Sequence, residues 1–278
     1  MLSLTGSIAA ALVRCSPSNF SVRVARRLDV GDLQDVILGK CAAVRIPGFC
    51  SKSVCEHAMK ELRSREIVDY HNATGVGKFK GIGMAYFEAE NDQSRKELFS
   101  QVHSSILGVR CIFDPFRSPI DEVRLTLDEQ WSPGASLLRH GEGKIMYAGL
   151  MRAIKGSILP HEDKLDRDDS DLASRVHYVG QVAFNCYLSM PPVGGEIQLW
   201  NLSLETSKYD ELRGDSYGID RDKLPPPDLT IRPEEGEFIA FNGRNIHAVT
   251  ACAQGVLRTT VSGFMLYQGE DRPLHVWS

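Results

Sequence analysis

No apolar run in the 278-residue chain approaches the roughly 18–20 residues that a membrane-spanning helix needs. The 32 basic and 36 acidic side chains leave a net charge of −4, so there is no basic excess of the kind that binds nucleic acid. We therefore expect neither a membrane nor a nucleic acid as partner. The sequence leaves open whether the protein is a monomer or a homodimer.

The cysteines follow no framework. The seven are odd in number and scattered, and no two of them form a Cys-x-x-Cys pair. Cys50 and Cys55 have no histidine at the spacing of a zinc finger. A zinc finger or a disulfide scaffold is therefore not expected, and the pattern favours a reducing compartment. We predict the cytoplasm.

The N-terminal segment leaves a second location open. Residues 1–27 contain no acidic side chain and carry several arginines, which is also the composition of a mitochondrial presequence. The favoured interpretation is a flexible tail over residues 1–18, followed by a first strand from Phe20. We predict that residues 19–278 form a single domain.

Helical patterns dominate residues 29–112, which we interpret as a helical support. Helices are predicted from Asp32, after a serine cap at Ser51, and over residues 92–112, with a strand between the first two. The glycine-rich stretch 72–86 matches neither a Walker A loop nor a dinucleotide-binding fingerprint. It predicts a flexible loop or a hairpin.

From about residue 134 to 268 the pattern changes to short apolar runs separated by Gly, Pro and Asn. Many short strands with turn signals are typical of a sandwich or a barrel. The polar stretch 203–232 interrupts them, contains three consecutive prolines, and is too long for a hairpin loop. We interpret it as a lid or a surface excursion.

Three metal-ligating side chains lie in this second half. His161 and Asp163 stand two residues apart at the end of a strand-like stretch, and extended residues i and i+2 point to the same side. His247 follows another strand-like stretch. Two histidines and one carboxylate make the facial triad of non-haem iron(II) oxygenases, and these oxygen and imidazole ligands suit Fe(II).

Arg258 begins a further strand and shares a face with Thr260. A buried arginine among apolar residues is costly unless a carboxylate pairs with it, and arginine suits bidentate pairing. A carboxylate of a ligand would satisfy this requirement. Separately, a 2-oxo acid would fill two of the three open positions at the metal with its keto oxygen and its carboxylate. O₂ would take the third position.

The order His-x-Asp, Gly-Gly-Glu at 194–196, His247 and Arg-x-Thr at 258–260 resembles the iron(II)/2-oxoglutarate-dependent oxygenase superfamily. Within it, the chain resembles freestanding enzymes that act on carrier-free aliphatic substrates. These include the cyanobacterial indole-alkaloid halogenases and the N-acyl-amino-acid hydroxylases. The resemblance is continuous from about residue 145 to the end and thinner over residues 20–120.

The resemblance implies a mainly β fold, a double-stranded β-helix (jelly roll) with supporting N-terminal helices. It also implies Fe(II), 2-oxoglutarate as co-substrate, and O₂. The iron ligands that it implies are His161, Asp163 and His247. Arg258 would bind the distal carboxylate of 2-oxoglutarate, assisted by Thr260 or Ser262.

Asp163 bears on the reaction. The halogenases of this group have glycine at this position, which opens a coordination site for chloride. Because the carboxylate is present here, the resemblance implies a hydroxylase of an unactivated aliphatic C–H bond, with succinate and CO₂ as co-products. The substrate would be a small amino-acid-like or natural-product metabolite. Desaturation, cyclisation or epimerisation at the same site is one alternative, and a cupin-like metal-binding protein or a zinc hydrolase are others.

Further residues are weaker candidates. Asn185 is predicted either to contact 2-oxoglutarate or to pack in the core. Arg152 is predicted to pair either with an anionic group of the substrate or with a neighbouring carboxylate. Phe79, Ile82, Met84 and Tyr86 are predicted substrate contacts, because their segment corresponds to a loop that lines the pocket in the similar enzymes. Ordinary loop packing is the alternative for these residues. The acidic run Asp166, Asp168 and Asp169 is interpreted as a solvated face.

Overall fold

The computed structural model describes residues 13–14, 20–70, 73–80, 82–89, 91–141, 143–253 and 256–278. Most of the predicted tail, residues 1–18, lies outside the described residues. Within these ranges, no helix has the length and apolar character needed to cross a bilayer. All the cysteines in the described part of the chain are free thiols.

The strands in the described ranges, in chain order, are β1 (Val13–Arg14), β2 (Val22–Val24), β3 (Ala43–Ile46), β4 (Ile67–Tyr70), β5 (Ala73–Phe79), β6 (Ala135–Leu137), β7 (Leu150–Ile154), β8 (Ile158–His161), β9 (Gly180–Ser189), β10 (Ile197–Leu199), β11 (Leu202–Ser203), β12 (Leu229–Ile231), β13 (Phe238–Asn242), β14 (His247–Val249), β15 (Arg258–Tyr267) and β16 (Leu274–Trp277). The helices there are α1 (Val30–Ile37), α2 (Lys52–Leu62), α3 (Asp92–Phe113), α4 (Pro119–Gln130), α5 (Leu165–Asp168), α6 (Ser170–Val176) and α7 (Thr206–Arg213).

Two sheets make the barrel. The long sheet runs β2-β3-β13-β9-β15-β7-β5-β4, and β16 joins it beside β15. The short sheet runs β12-β10-β14-β8. Side chains from both sheets line one cavity, so the site lies between them. The mainly β, jelly-roll fold expected from the sequence is confirmed.

The helices cover the outer face of the long sheet. α1, α2 and α4 bury apolar side chains in one cluster with β9, β13 and β15. The strand β9 is buried on both faces along Gly180–Leu188, which explains its continuous apolar run. The second cluster fills the space between the sheets and includes Tyr187 and Phe241.

The predicted helices form, and only the first of them starts at a different residue from the one predicted. The first begins at Val30 because the Asp29 side chain accepts a hydrogen bond from Gly31 N at 2.9 Å. Ser51 caps α2, as predicted, by accepting from Val54 N at 3.4 Å. The helix α4 was not predicted, although Ser118 followed by Pro119 is a typical helix start.

Two ambiguous stretches are ordered. The glycine-rich stretch adopts the hairpin alternative, since β5 pairs antiparallel with β4. The polar stretch 203–232 contains α7 and ends in β12, the edge strand of the short sheet. Tyr209 and Ile219 of this stretch pack with Trp200 in a cluster of their own. Its role as a lid stays a prediction.

Candidate active site

The predicted triad converges at one end of the short sheet. β8 ends at His161, β14 begins at His247, and these two histidines are direct partners in the antiparallel register. Asp163 follows two residues after His161, and its N–H donates to Gly243 O at 2.8 Å. One ligand atom from each of the three side chains lies within 4.8 Å of the others.

Backbone carbonyls orient both imidazoles. His161 Nδ1 lies 2.8 Å from Leu159 O, and His247 Nδ1 lies 2.9 Å from Asn245 O. A carbonyl only accepts, so each Nδ1 carries a proton and each Nε2 is directed at Asp163. Such an outer hydrogen bond is the usual support of a metal-binding histidine.

Asp163 lies between the two Nε2 atoms. The distances are 3.1 Å from His247 Nε2 to Oδ2 and 3.8 Å from His161 Nε2 to Oδ1. The shorter contact requires a proton on His247 Nε2, because an ionised carboxylate only accepts. A metal ion would replace that proton, and two imidazoles with one carboxylate suit Fe(II). The residues therefore fit the metal that the sequence predicts.

The surroundings favour the metal-binding protonation states of His161 and Asp163. Burial and the neighbouring His247 lower the pKa of His161 to about 4, so this imidazole is neutral at pH 7. Burial alone would raise the pKa of Asp163, but the hydrogen bond and charge of His247 outweigh it and lower the pKa to about 2. Asp163 is thus ionised over the physiological range.

Glu162 points away from the triad, as the alternation of an extended segment predicts. Its carboxylate lies 2.8 Å from Lys164 Nζ and 3.1 Å from Arg167 Nη2, and it accepts from Leu204 N at 2.6 Å. Lys164 also donates to Leu204 O at 2.7 Å. This buried ion cluster fastens the stretch 203–232 to the segment that carries two triad residues.

Arg258 lies on the wall of the same cavity, on the long sheet. The cavity has a volume of about 340 Å³, and Arg258 is 3% exposed. Among the described side chains, no carboxylate lies at ion-pair distance from its guanidinium, whose Nη2 donates to Tyr187 Oη at 3.2 Å. Burial raises the pKa of Tyr187 to about 12 although Arg258 lowers it, so the phenol is neutral. Arg258 is left with a positive charge that faces the cavity.

The other predicted contacts of the co-substrate separate into two groups. Asn185 lines the cavity. Thr260 and Ser262 are buried behind the wall, and Ser262 Oγ accepts from Arg152 Nη1 at 2.7 Å instead of contacting Arg258. Arg152 itself lines the cavity.

The four predicted substrate contacts from the loop do not line the cavity, in contrast to Arg152. Phe79 and Ile82 belong to the outer core, and Met84 packs against the second cluster. Tyr86 donates to Asp169 at 2.5 Å. Phe79 faces away because it lies an odd number of residues from Val76, which does line the cavity.

The prediction of a solvated acidic run is wrong for Asp169. This residue is buried, caps α6 by accepting from Leu172 N at 2.8 Å, and lies 3.0 Å from His140 Nε2. Asp166 and Asp168 are exposed, as expected, although Asp168 borders the cavity. Asp166 and Asp168 lie in α5, and Asp169 begins α6 because aspartate is a good N-cap.

Sequence reasoning missed several cavity residues. These residues come from β4, β5, α5 and the stretch 203–232, or follow β5 closely in the chain. They are Tyr70, Val76, Phe87, Arg167, Tyr209, Arg213 and Tyr217. The Arg167 guanidinium lies 3.8 Å from the Tyr209 ring centroid, a cation–π contact. Tyrosines within an otherwise polar stretch were the signal that was available.

Comparison with known proteins gives consistent relatives. No family model matches the chain. The chain is 23% identical over 240 residues to an L-gamma-glutamyl-L-propargylglycine hydroxylase of Streptantibioticus cattleyicolor, covering 84% of this chain and 87% of that protein. It is 22% identical over 251 residues to an L-isoleucine 3(1)-dioxygenase of Pantoea ananatis, covering 84% and 82%.

Solved structures agree with the fold. An N-substituted L-amino acid dioxygenase from Burkholderia ambifaria superimposes with a TM-score of 0.59 at 14% identity, over 89% of this chain and 91% of that chain. The same enzyme in complex with alpha-KG superimposes with a TM-score of 0.57. The chain therefore shares the fold of a dioxygenase that binds alpha-KG, and it brings together the His-Asp-His cluster that the sequence predicts.

Proposed function

We propose that the protein is an Fe(II)/2-oxoglutarate-dependent dioxygenase that hydroxylates an unactivated aliphatic C–H bond of a small amino-acid-like metabolite. Succinate and CO₂ would be the co-products. The observation that carries the proposal is the presence of two incomplete sites in one cavity. The His161, Asp163 and His247 cluster suits a metal ion, and Arg258 suits a carboxylate.

Each group has a distinct task. His161, Asp163 and His247 would hold the iron, and Arg258, positioned by Tyr187, would hold the distal carboxylate of 2-oxoglutarate. When bound, iron and 2-oxoglutarate supply the oxidising chemistry with O₂. The protein fixes the orientation of the ligands and encloses them between two sheets, which excludes water.

The intact carboxylate supports hydroxylation over halogenation. Asp163 is ionised and lies within hydrogen-bond distance of His247, so it would occupy the coordination position that the halogenases leave open for chloride. The hydroxylase of Streptantibioticus cattleyicolor and the dioxygenase of Pantoea ananatis are named for amino acids or their derivatives, which supports the same substrate class. Desaturation, cyclisation and epimerisation share the site and are separated from hydroxylation by the product.

An anaerobic titration tests the ligand set. Metal-free protein receives Fe(II) and then 2-oxoglutarate while the visible spectrum is recorded. We expect a weak charge-transfer band that needs both additions, because the keto oxygen and adjacent carboxylate chelate the iron. Succinate, which has the distal carboxylate without the keto group, is the matched control and should give no band. No band, with tightly bound zinc in the isolated protein, would favour a zinc hydrolase instead.

Product mass then identifies the reaction. Hydroxylation adds one oxygen to the substrate, desaturation or cyclisation removes two hydrogens, and epimerisation leaves the mass unchanged. We expect the added oxygen, with one succinate released for each product molecule. A product without added oxygen would move the assignment to the alternatives.

We also propose a cytoplasmic location, since the free thiols suit a reducing compartment. Cell fractionation tests it against the mitochondrial alternative.

A further inference from the structure

We propose that Arg152 binds the carboxylate of the substrate, and that the substrate is therefore a small aliphatic carboxylic acid with that group unmodified. This inference rests on the proposed function. It assigns to Arg152 a recognition role that is distinct from the co-substrate role of Arg258.

The charges in the cavity leave two guanidinium groups without an acidic partner. Among the described residues, the arginines that line the cavity are Arg152, Arg167, Arg213 and Arg258. Arg167 pairs with Glu162 at 3.1 Å, and Arg213 pairs with Asp210 at 2.8 Å. In the described part of the chain, neither Arg152 nor Arg258 has a carboxylate within 4.0 Å. An unpaired guanidinium at a partly enclosed site calls for an anion, so the cavity is built for two.

The two tyrosines beside Arg152 supply no counter-charge, and Asp163, which lines the same cavity, lies beyond ion-pair distance of it. Burial raises the pKa of Tyr70 to about 12 even though the charge of Arg152 lowers it, and burial raises the pKa of Tyr147 well above its ordinary value. Both phenols are therefore neutral at pH 7. Lys78, the partner of Arg152 across β5 and β7, is neutralised by Glu88 at 2.5 Å.

Arg152 and Arg258 occupy different places on the wall. In the register of β7 and β15, Arg258 lies opposite Ile154, whereas Arg152 lies opposite Thr260. Arg258 therefore faces the β9 side, where Tyr187 contacts it, while Arg152 is one strand nearer to β5. A single distal carboxylate does not need two arginines on separate strands. The second arginine is thus available to a second ligand.

The guanidinium of Arg152 is held in place. Its Nη1 donates to Ser262 Oγ at 2.7 Å, and Ser262 Oγ in turn donates to Leu150 O at 3.0 Å. Ser278 Oγ donates to Ser262 O at 2.9 Å and accepts from Gly149 N at 3.0 Å. Because one nitrogen is fixed in this way and Arg152 lines the cavity, its guanidinium has little entropy to lose when an anion binds there.

The space beside Arg152 suits a small aliphatic group. Val76, Ile158 and Phe264 line the cavity together with the ring of Phe87. The volume of about 340 Å³ is at the lower end of the roughly 300–1,000 Å³ that small-molecule sites occupy. A charged group on Arg152 and an apolar chain against these residues describe an aliphatic carboxylic acid, of which amino acids and N-acyl amino acids are examples.

The test compares acids with their amides on the loaded enzyme. Protein loaded anaerobically with Fe(II) and 2-oxoglutarate is titrated with L-leucine, L-isoleucine and N-acetyl-L-leucine, and with the corresponding carboxamides. The readouts are the change in the visible band and, after O₂ is admitted, the stimulated release of succinate. We expect a response to at least one acid and none to its amide, because the amide cannot pair with a guanidinium.

Substitution of Arg152 completes the test. In Arg152→Gln, we expect the concentration of acid at half-saturation to rise about 10-fold to 100-fold, as for the loss of a charged hydrogen bond. Half-saturation by 2-oxoglutarate, measured from the band without acid, should be unchanged. Arg152→Lys should give an intermediate value. Lys155→Gln, at an exposed position just after β7, is the matched control and should behave as wild type.

The outcomes separate this inference from the proposed function. A weaker response to 2-oxoglutarate in Arg152→Gln would place Arg152 in the co-substrate site and overturn the inference. So would amides that act as well as acids, or a band that none of the acids perturbs. Absence of the band in wild-type protein would instead reject the proposed function itself.

Discussion

The two sheets that enclose the cavity differ in whether the charged groups on their walls have partners within the protein. At the short sheet, His161, Asp163 and His247 already lie within 4.8 Å of one another. At the long sheet, Arg152 and Arg258 have no carboxylate partner among the described residues. The chain thus assembles its metal position by itself, whereas the arginines are completed only by ligands. Changes at the short sheet should remove activity, and changes at the long sheet should alter the ligand concentrations required.

Asp163→Ala should have the largest effect and would break the short-sheet side of this comparison. Loss of a hydrogen bond to a metal ligand costs about 10-fold to 100-fold, so loss of the ligand itself should exceed about 100-fold in Fe(II) affinity and in succinate release. Anaerobic titration and succinate measurement test this. Asp171→Ala, an exposed acid in α6, is the control. Normal iron binding in Asp163→Ala would remove this residue from the triad.

Arg258→Ala should weaken the binding of 2-oxoglutarate at the long sheet and leave the metal site of the short sheet unchanged. Removal of one partner from a buried, hydrogen-bonded charge pair costs about 2–5 kcal/mol, so half-saturation by 2-oxoglutarate should rise about 30-fold or more. Fe(II) affinity should stay as in wild type. The spectral titration reports both quantities. Arg117→Ala, at a surface ion pair with Glu122, is the control. An unchanged requirement for 2-oxoglutarate would refute the role of Arg258.

The smallest expected effect is the lowered pKa of His161. It tests whether the short-sheet side of the cavity is enclosed, and it needs no substitution. NMR of metal-free protein should show its imidazole titrating near pH 4 instead of at its ordinary value of 6.5. In unfolded protein the ordinary value should return. Because the unfolded chain binds this proton more readily between these two pH values, the stability that the group contributes above pH 6.5 is lost as pH falls towards 4. An ordinary pKa in the folded protein would contradict the enclosed site.

Local patterns predicted the parts of the site that depend on neighbouring residues. His161 and Asp163 could be placed together because alternation in an extended segment acts over two residues. Their approach to His247 depends on the pairing of β8 with β14, which no local pattern specifies. The direction of the Phe79 side chain was not predicted for a related reason. The sequence predicts a loop or a hairpin over residues 72–86 without strand bounds, so the alternation of side chains along β5 could not be applied.

Partners that are distant in sequence explain the remaining differences. Asp169 was taken for a solvated residue because its contacts with Tyr86 and His140 come from other parts of the chain. The contact of Ser262 with Arg152 likewise depends on the register of β7 and β15. Whether the charge of Arg152 has a partner depends on the groups that surround it in the fold. The sequence alone therefore does not predict that partner.

Glu162 connects metal binding by the triad with the docking of α7 against the barrel. It lies between two triad residues, yet its carboxylate binds Leu204 N on the opposite side, where Arg167 stacks on Tyr209 of α7. Metal binding, which fixes the segment around Glu162, should therefore favour the docked position of α7. Because linkage between binding equilibria is reciprocal, a substrate that stabilises docked α7 should in turn tighten the hold on the metal.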